Sequence, residues 1–80
     1  MNILIIKTGA LGDVVRTTFV AQALKDKYKE NNLKIFWLTN KNARLIFINN
    51  VYVDEVFNEE NKNELRKVLF DKVINLEEGE

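Results

Sequence analysis

The stretch Asn2-Ile3-Leu4-Ile5-Ile6-Lys7-Thr8-Gly9-Ala10-Leu11-Gly12-Asp13-Val14 decides how the chain is read. Its four consecutive apolar residues, Ile3 to Ile6, suit a strand buried on both faces of a parallel sheet. Gly9 and Gly12 punctuate the segment that follows, and a helical pattern begins at Val14. A short apolar strand, a glycine-bearing turn and a helix make the opening of a βα unit. In parallel α/β sheets such a turn lines the ligand crevice and brings the unpaired N–H groups of a helix start beside it.

Outward from this unit the pattern repeats. Thr17, Val20, Ala21, Leu24 and Tyr28 recur at steps of three and four, which predicts an amphipathic helix running to about Glu30. Asn31 and Asn32 stop it, since asparagine tolerates the left-handed conformation. Ile35-Phe36-Trp37-Leu38 predicts a second strand. Thr39 or Asn40 can cap a short helix with Ala43, Ile46 and Phe47 facing inward, ended by Asn49-Asn50. Val53-Asp54-Glu55-Val56-Phe57 predicts a third strand that starts near solvent, with Val53 and Phe57 on one face. After a polar loop from Asn58 to Lys62, Leu65, Val68 and Leu69 make a third helical stripe. Lys72-Val73-Ile74-Asn75-Leu76 is the fourth strand, and Glu77-Glu78-Gly79-Glu80 leaves the sheet. The fold class is therefore α/β, a Rossmann-like parallel sheet in the order β-α-β-α-β-α-β with right-handed crossovers.

Composition sets the limits. The 80 residues amount to one small domain, near the lower size for a self-sufficient core. Doubly wound sheets usually continue past a fourth strand, so part of a larger domain is expected, with a complete four-stranded domain as the other reading. Hydrophobic residues make up 46% and charged residues 30%, which excludes a disordered chain. Twelve basic and twelve acidic side chains cancel, so no overall field draws the chain to nucleic acid. Without cysteine there is no disulfide or thiolate metal site, and without histidine any acid–base chemistry falls to Asp, Glu, Lys or Tyr. No signal peptide is visible and no run approaches the ~20 apolar residues of a membrane span, so a cytoplasmic location is expected.

The turn itself carries the candidate chemistry. The G-x-x-G spacing of Gly9 and Gly12 is neither a dinucleotide fingerprint nor a P-loop, so NAD and ATP are not signalled. Either glycine lets a ligand approach the backbone or simply turns the chain. Asp13 is either a dipole partner at the helix start or a carboxylate that takes a proton from a substrate hydroxyl. Lys7 is either a strand-end lysine with its charge in solvent or a contact for phosphate or carboxylate.

Several segments together resemble the N-terminal signature of glycosyltransferase family 9, the ADP-heptose–lipopolysaccharide heptosyltransferases and their relatives. They are Asn2 to Thr8, Leu11-Gly12-Asp13-Val14-Val15 and Thr17, then Trp37-Leu38, Asn50 to Val56, and Phe70 to Leu76, in the right order over nearly the whole chain. The resemblance implies a GT-B fold, two Rossmann-like domains facing a cleft. Residues 1–80 would be part of the N-terminal, acceptor-side domain, and the donor-binding domain would lie outside this chain. It implies Asp13 as catalytic base and Lys7 as active-site lysine, with Thr8, Gly9, Gly12 and Arg16 as substrate-binding neighbours. The implied reaction is metal-free, cofactor-free, inverting transfer from a nucleotide-sugar donor such as ADP-heptose to a glycan or lipid-linked hydroxyl. The isolated chain is expected to be inactive. A lipid-linked acceptor would add a peripheral position at the inner membrane face, important to lipopolysaccharide and cell-envelope synthesis. Arg16 stands where heptosyltransferases commonly have histidine, and Val51 where a proline is familiar, so heptose is one candidate sugar among others. The rival reading is a non-catalytic flavodoxin-like ligand-binding module.

Overall fold

β1 (Asn2–Ile6) forms at the apolar run, and the sheet grows from it on both sides. A computed structural model describes residues 1–77. The order of elements is β1, α1 (Leu11–Thr17), α2 (Phe19–Lys27), β2 (Lys34–Leu38), a 3-10 helix at Lys41–Phe47, β3 (Glu55–Phe57), a 3-10 helix at Lys62–Lys67, and β4 (Lys72–Asn75). The strands are all parallel and lie in the order β3-β2-β1-β4. Ile3 sits opposite Ile35 and Ile5 opposite Trp37 on one side of β1, and Leu4 faces Val73 on the other. The chain therefore steps outward from β1 through β2 to β3, then returns to the far side of β1 with β4. That reversal makes the junction of β1 and β4 the topological switch point of the sheet.

Strand periodicity sends alternate residues to two covered faces. Ile3, Ile5, Ile35 and Trp37 pack with Val14, Ala21, Ala43 and Phe47, and the Trp37 and Phe47 rings lie 4.9 Å apart. Leu4, Phe36 and Phe57 form the other cluster, joined by Leu65, Val68 and Phe70. There Phe36 stacks on Phe57 and meets the edge of Phe70, with centroids 6.3 and 5.2 Å apart. Each large side chain buried in these layers contributes about 1.5–3 kcal/mol.

Polar contacts fix the N-terminal edge of the sheet. Asp54 Oδ2 accepts from the Ile35 amide at 2.7 Å and from Lys25 Nζ at 2.9 Å, while Lys25 also donates to the Leu33 carbonyl at 2.7 Å. One carboxylate thus ties α2, β2 and the lead into β3. At the opposite margin β4 pairs with β1 alone among the described residues, and Val73 is 56% exposed.

The structure corrects several expected boundaries. The single helix from Val14 to Glu30 is two helices, starting at Leu11 and ending at Lys27, with a break at Thr18. The hydroxyls of Thr17 and Thr18 donate to the Val14 and Val15 carbonyls at 2.8 Å, and such back-bonding to the preceding turn bends helices. Asn32 does adopt the left-handed conformation, at φ 51°. Both later helices are short 3-10 helices. Ala43 and Phe47 are buried as expected, but Leu69 is 90% exposed rather than part of an inward stripe. β3 begins at Glu55: the Asp54 amide still bonds Ile35 O at 2.9 Å, but the Asp54 side chain, not a backbone carbonyl, takes the Ile35 amide. β4 ends at Asn75, although the Leu76 amide still bonds Ile6 O at 2.8 Å. The expected departure of Glu78, Gly79 and Glu80 from the sheet lies outside the described residues. No helix among the described residues is long and apolar enough to cross a membrane.

Candidate functional site

The C-terminal end of β1 opens into a cleft of about 260 Å³ lined by Lys7, Asp13, Arg16, Thr17 and Leu76. It lies at the switch point, where Lys7 continues β1 and Leu76 continues β4. The Lys7 amide donates to Leu38 O at 3.0 Å, so backbone hydrogen bonds hold this residue in line with the sheet. A larger depression, about 470 Å³ near Phe19 and Val51, carries no carboxylate or cation and lies away from this chemistry.

Lys7 is only 7% exposed as a residue, so most of its side chain is packed at the border of the cleft it lines. Among the described residues it forms no ion pair. It shares the cleft with the Asp13 carboxylate without pairing to it.

Asp13 occupies the third position of α1. The N-cap is Ala10, which makes no side-chain cap, and the Asp13 amide bonds Ala10 O at 3.0 Å. The carboxylate is therefore not a cap. Its side chain is 43% exposed, and Arg16 Nη2 donates to Oδ1. Oδ2 accepts no hydrogen bond among the described residues, which leaves a lone-pair face open to a ligand. Arg16 is far more exposed, at 78%, and turns part of its guanidinium to solvent. Two cations and one carboxylate give the cleft a positive balance.

The flanking turn is braced from both neighbouring strands. Thr8 donates its amide and Oγ1 to Glu77 Oε1, each at 2.6 Å. Asn40 Nδ2 donates to Gly9 O at 2.5 Å. Gly9 has φ +101°, a conformation that side chains rarely adopt, so glycine is required there. Gly12 has no positive φ and only open space where a side chain would stand. The fold does not demand glycine at that position.

The structure thus brings Lys7, Asp13 and Arg16 into one cleft, while Thr8 and Gly9 shape its border and Gly12 lies one residue before Asp13 in α1. Sequence reasoning missed Glu77 and Asn40 as braces, and Thr17 and Leu76 as lining. The available signal was topological, since the C-terminal ends of parallel strands converge on one edge. Among the described residues no three His, Cys, Asp or Glu side chains gather as a metal site.

A parallel sheet with helices and a charged cleft at its switch point makes this a Rossmann-like α/β unit. No protein-family model matches the chain, and no curated protein matches it. Among solved structures, it is similar to the glycosyl transferase family 9 protein of Veillonella parvula DSM 2008, with a TM-score of 0.82 and 22% identity. The match covers 98% of this chain and 26% of that one, so the chain spans about a quarter of the length of that protein. The α/β fold expected from the sequence resemblance is the fold found.

Proposed function

We propose that this chain forms the acceptor side of an inverting glycosyltransferase, with Asp13 as general base. The carrying observation is the free Oδ2 of Asp13 in a cleft it shares with Lys7 at the switch point. A sugar hydroxyl is a poor nucleophile. As its oxygen attacks the anomeric carbon of the donor, its proton passes to Asp13 Oδ2 and the bond to the nucleoside diphosphate breaks. Arg16 holds Oδ1 and so orients the carboxylate. Negative charge gathers on the departing diphosphate, and groups of a donor-binding half in a GT-B arrangement would stabilise it. The positive balance of Lys7 and Arg16 suits an acceptor bearing phosphate or carboxylate beside the reactive hydroxyl. ADP-heptose is one donor consistent with the sequence resemblance, and a lipopolysaccharide-type glycan at the cytoplasmic membrane face is one acceptor.

The test is Asp13→Asn in a form of the protein that includes the donor-binding half. Transfer falls by about 10²–10⁴-fold while donor affinity stays nearly unchanged. Turnover at the wild-type rate removes Asp13 as the base.

A further inference from the structure

Eight large hydrophobic side chains are exposed among the described residues, and six of them belong to the helical layer on one side of the sheet. They follow helical spacing. Leu11, Val15 and Phe19 recur at steps of four through α1 into α2, which sets them on one side of that path. Leu45, Ile48 and Val51 recur at steps of three, the period of a 3-10 helix, from the Lys41–Phe47 helix into the turn after it. Val14, Ala21, Ala43 and Phe47 of the same elements fill the core, so both rows stand on the outer side. The two rows meet where Phe19 and Val51, 67% and 81% exposed, border one open depression. Exposed apolar residues scattered singly are ordinary, but two rows of three on one layer mark an interaction surface.

Charge is distributed with them. Eight of the twelve basic side chains but only three of the twelve acidic ones precede Asp54, and no acid stands between Glu30 and Asp54. The neutral total therefore hides a basic part of the chain, which carries the apolar rows. Arg44 precedes Leu45, is exposed, and forms no ion pair among the described residues. Arg16 follows Val15 with much of its guanidinium in solvent. Apolar rows edged by cations suit a surface that lies in the headgroup region of an anionic membrane without crossing it. Other occupants suit the face less. A second copy across a two-fold axis sets the same cationic edge against itself. A peptide partner needs an apolar pocket for its anchors, whereas Thr18, Gln22, Asn49 and Asn50 line half of the depression.

We propose that this face docks on an anionic lipid bilayer, with Phe19, Ile48 and Val51 entering the boundary between headgroups and acyl chains and Arg44 meeting lipid phosphates. The proposal does not rest on the transferase reading, because docking requires no turnover.

Co-sedimentation with phosphatidylcholine vesicles carrying about one-third phosphatidylglycerol, against vesicles of phosphatidylcholine alone, tests it. The 80-residue chain binds the anionic vesicles, and binds them less as salt rises. Phe19→Gln weakens binding by about tenfold, and Val51→Gln and Arg44→Gln each by about fivefold. All three leave unfolding stability near that of the wild type, since the side chains are exposed. Leu69→Gln and Arg66→Gln remove the same kinds of group from the segment that packs on the other side of the sheet, and leave binding unchanged. Failure to bind anionic vesicles, equal binding to neutral ones, or equal losses from Leu69→Gln and Phe19→Gln overturns the proposal. So does a dimer in analytical ultracentrifugation that Phe19→Gln disperses while vesicle binding stays. Asp13→Asn leaves vesicle binding unaltered, so loss of the base assignment and loss of the docking face are told apart.

Discussion

Thr8 directs both its backbone N–H and its hydroxyl at one oxygen of Glu77, each at 2.6 Å. The contact spans 69 residues of sequence and ties the turn after β1 to the segment after β4. Because the cleft lies between those segments, the contact sets its width. Glu77→Ala is expected to lower unfolding stability by about 1 kcal/mol and to speed hydrogen exchange at the Thr8 amide. Glu77→Gln keeps an acceptor and recovers part of the protection.

Lys7 is 7% exposed as a residue and lines the cleft without an ion pair among the described residues. A hydrocarbon of similar length can fill the same space without holding a charge there. Lys7→Met is expected to raise stability by about 1 kcal/mol in chemical denaturation while weakening binding of phosphate- or carboxylate-bearing acceptors. Destabilisation by this change would mean that the cation serves the fold instead.

The two glycines of the turn separate cleanly. Gly9→Ala forces a side chain onto φ +101° and is expected to cost about 1–2 kcal/mol. Gly12→Ala meets nothing within 4 Å and is expected to stabilise by up to about 1 kcal/mol. If a ligand lies against Gly12, the stabilised variant loses acceptor use. Paired denaturation and transfer assays read both effects.

Tyr28 provides a pH signature remote from the cleft. Hydrogen bonding to the Lys72 ammonium lowers its phenol below the ordinary value of 10.0; burial opposes this, and the Lys27 charge adds to it. The two ammonium groups lie 5.8 and 5.3 Å from the ring centroid. A lowered acid favours the folded state once ionised. The contribution is thus complete above the unfolded value and is lost as pH falls through the lowered folded one. An absorbance titration is expected to show one tyrosine ionising early, and Lys72→Gln to move it upward.

Much of the fold was legible because its signals are local. The Ile3–Ile6 and Ile35–Leu38 runs have the length and apolarity of buried strands, and Ala43 and Phe47 lie on the inward side as their spacing implies. The break at Thr18 was not legible from periodicity, since Thr18 keeps helical angles of φ −62° and ψ −24° and the inward face continues across it. The two adjacent threonines were the cue, through their reach to preceding carbonyls. Leu69 misled because a three-residue apolar stripe does not say where a short helix stops. Of the candidate site, the charged turn stood out by composition. The braces from Asn40 and Glu77 did not, because they join residues 31 and 69 positions apart. Only the strand order brings them together.

The outer rim of β4 has a bearing on how this chain behaves in bulk. Among the described residues its outer amides and carbonyls are unpaired and sit beside a bare valine, a template onto which an extended peptide can zip. Light scattering of residues 1–80 alone is expected to show self-association that a charge on the outer side of β4 reduces. Lysine or proline placed there is the change that keeps them monodisperse.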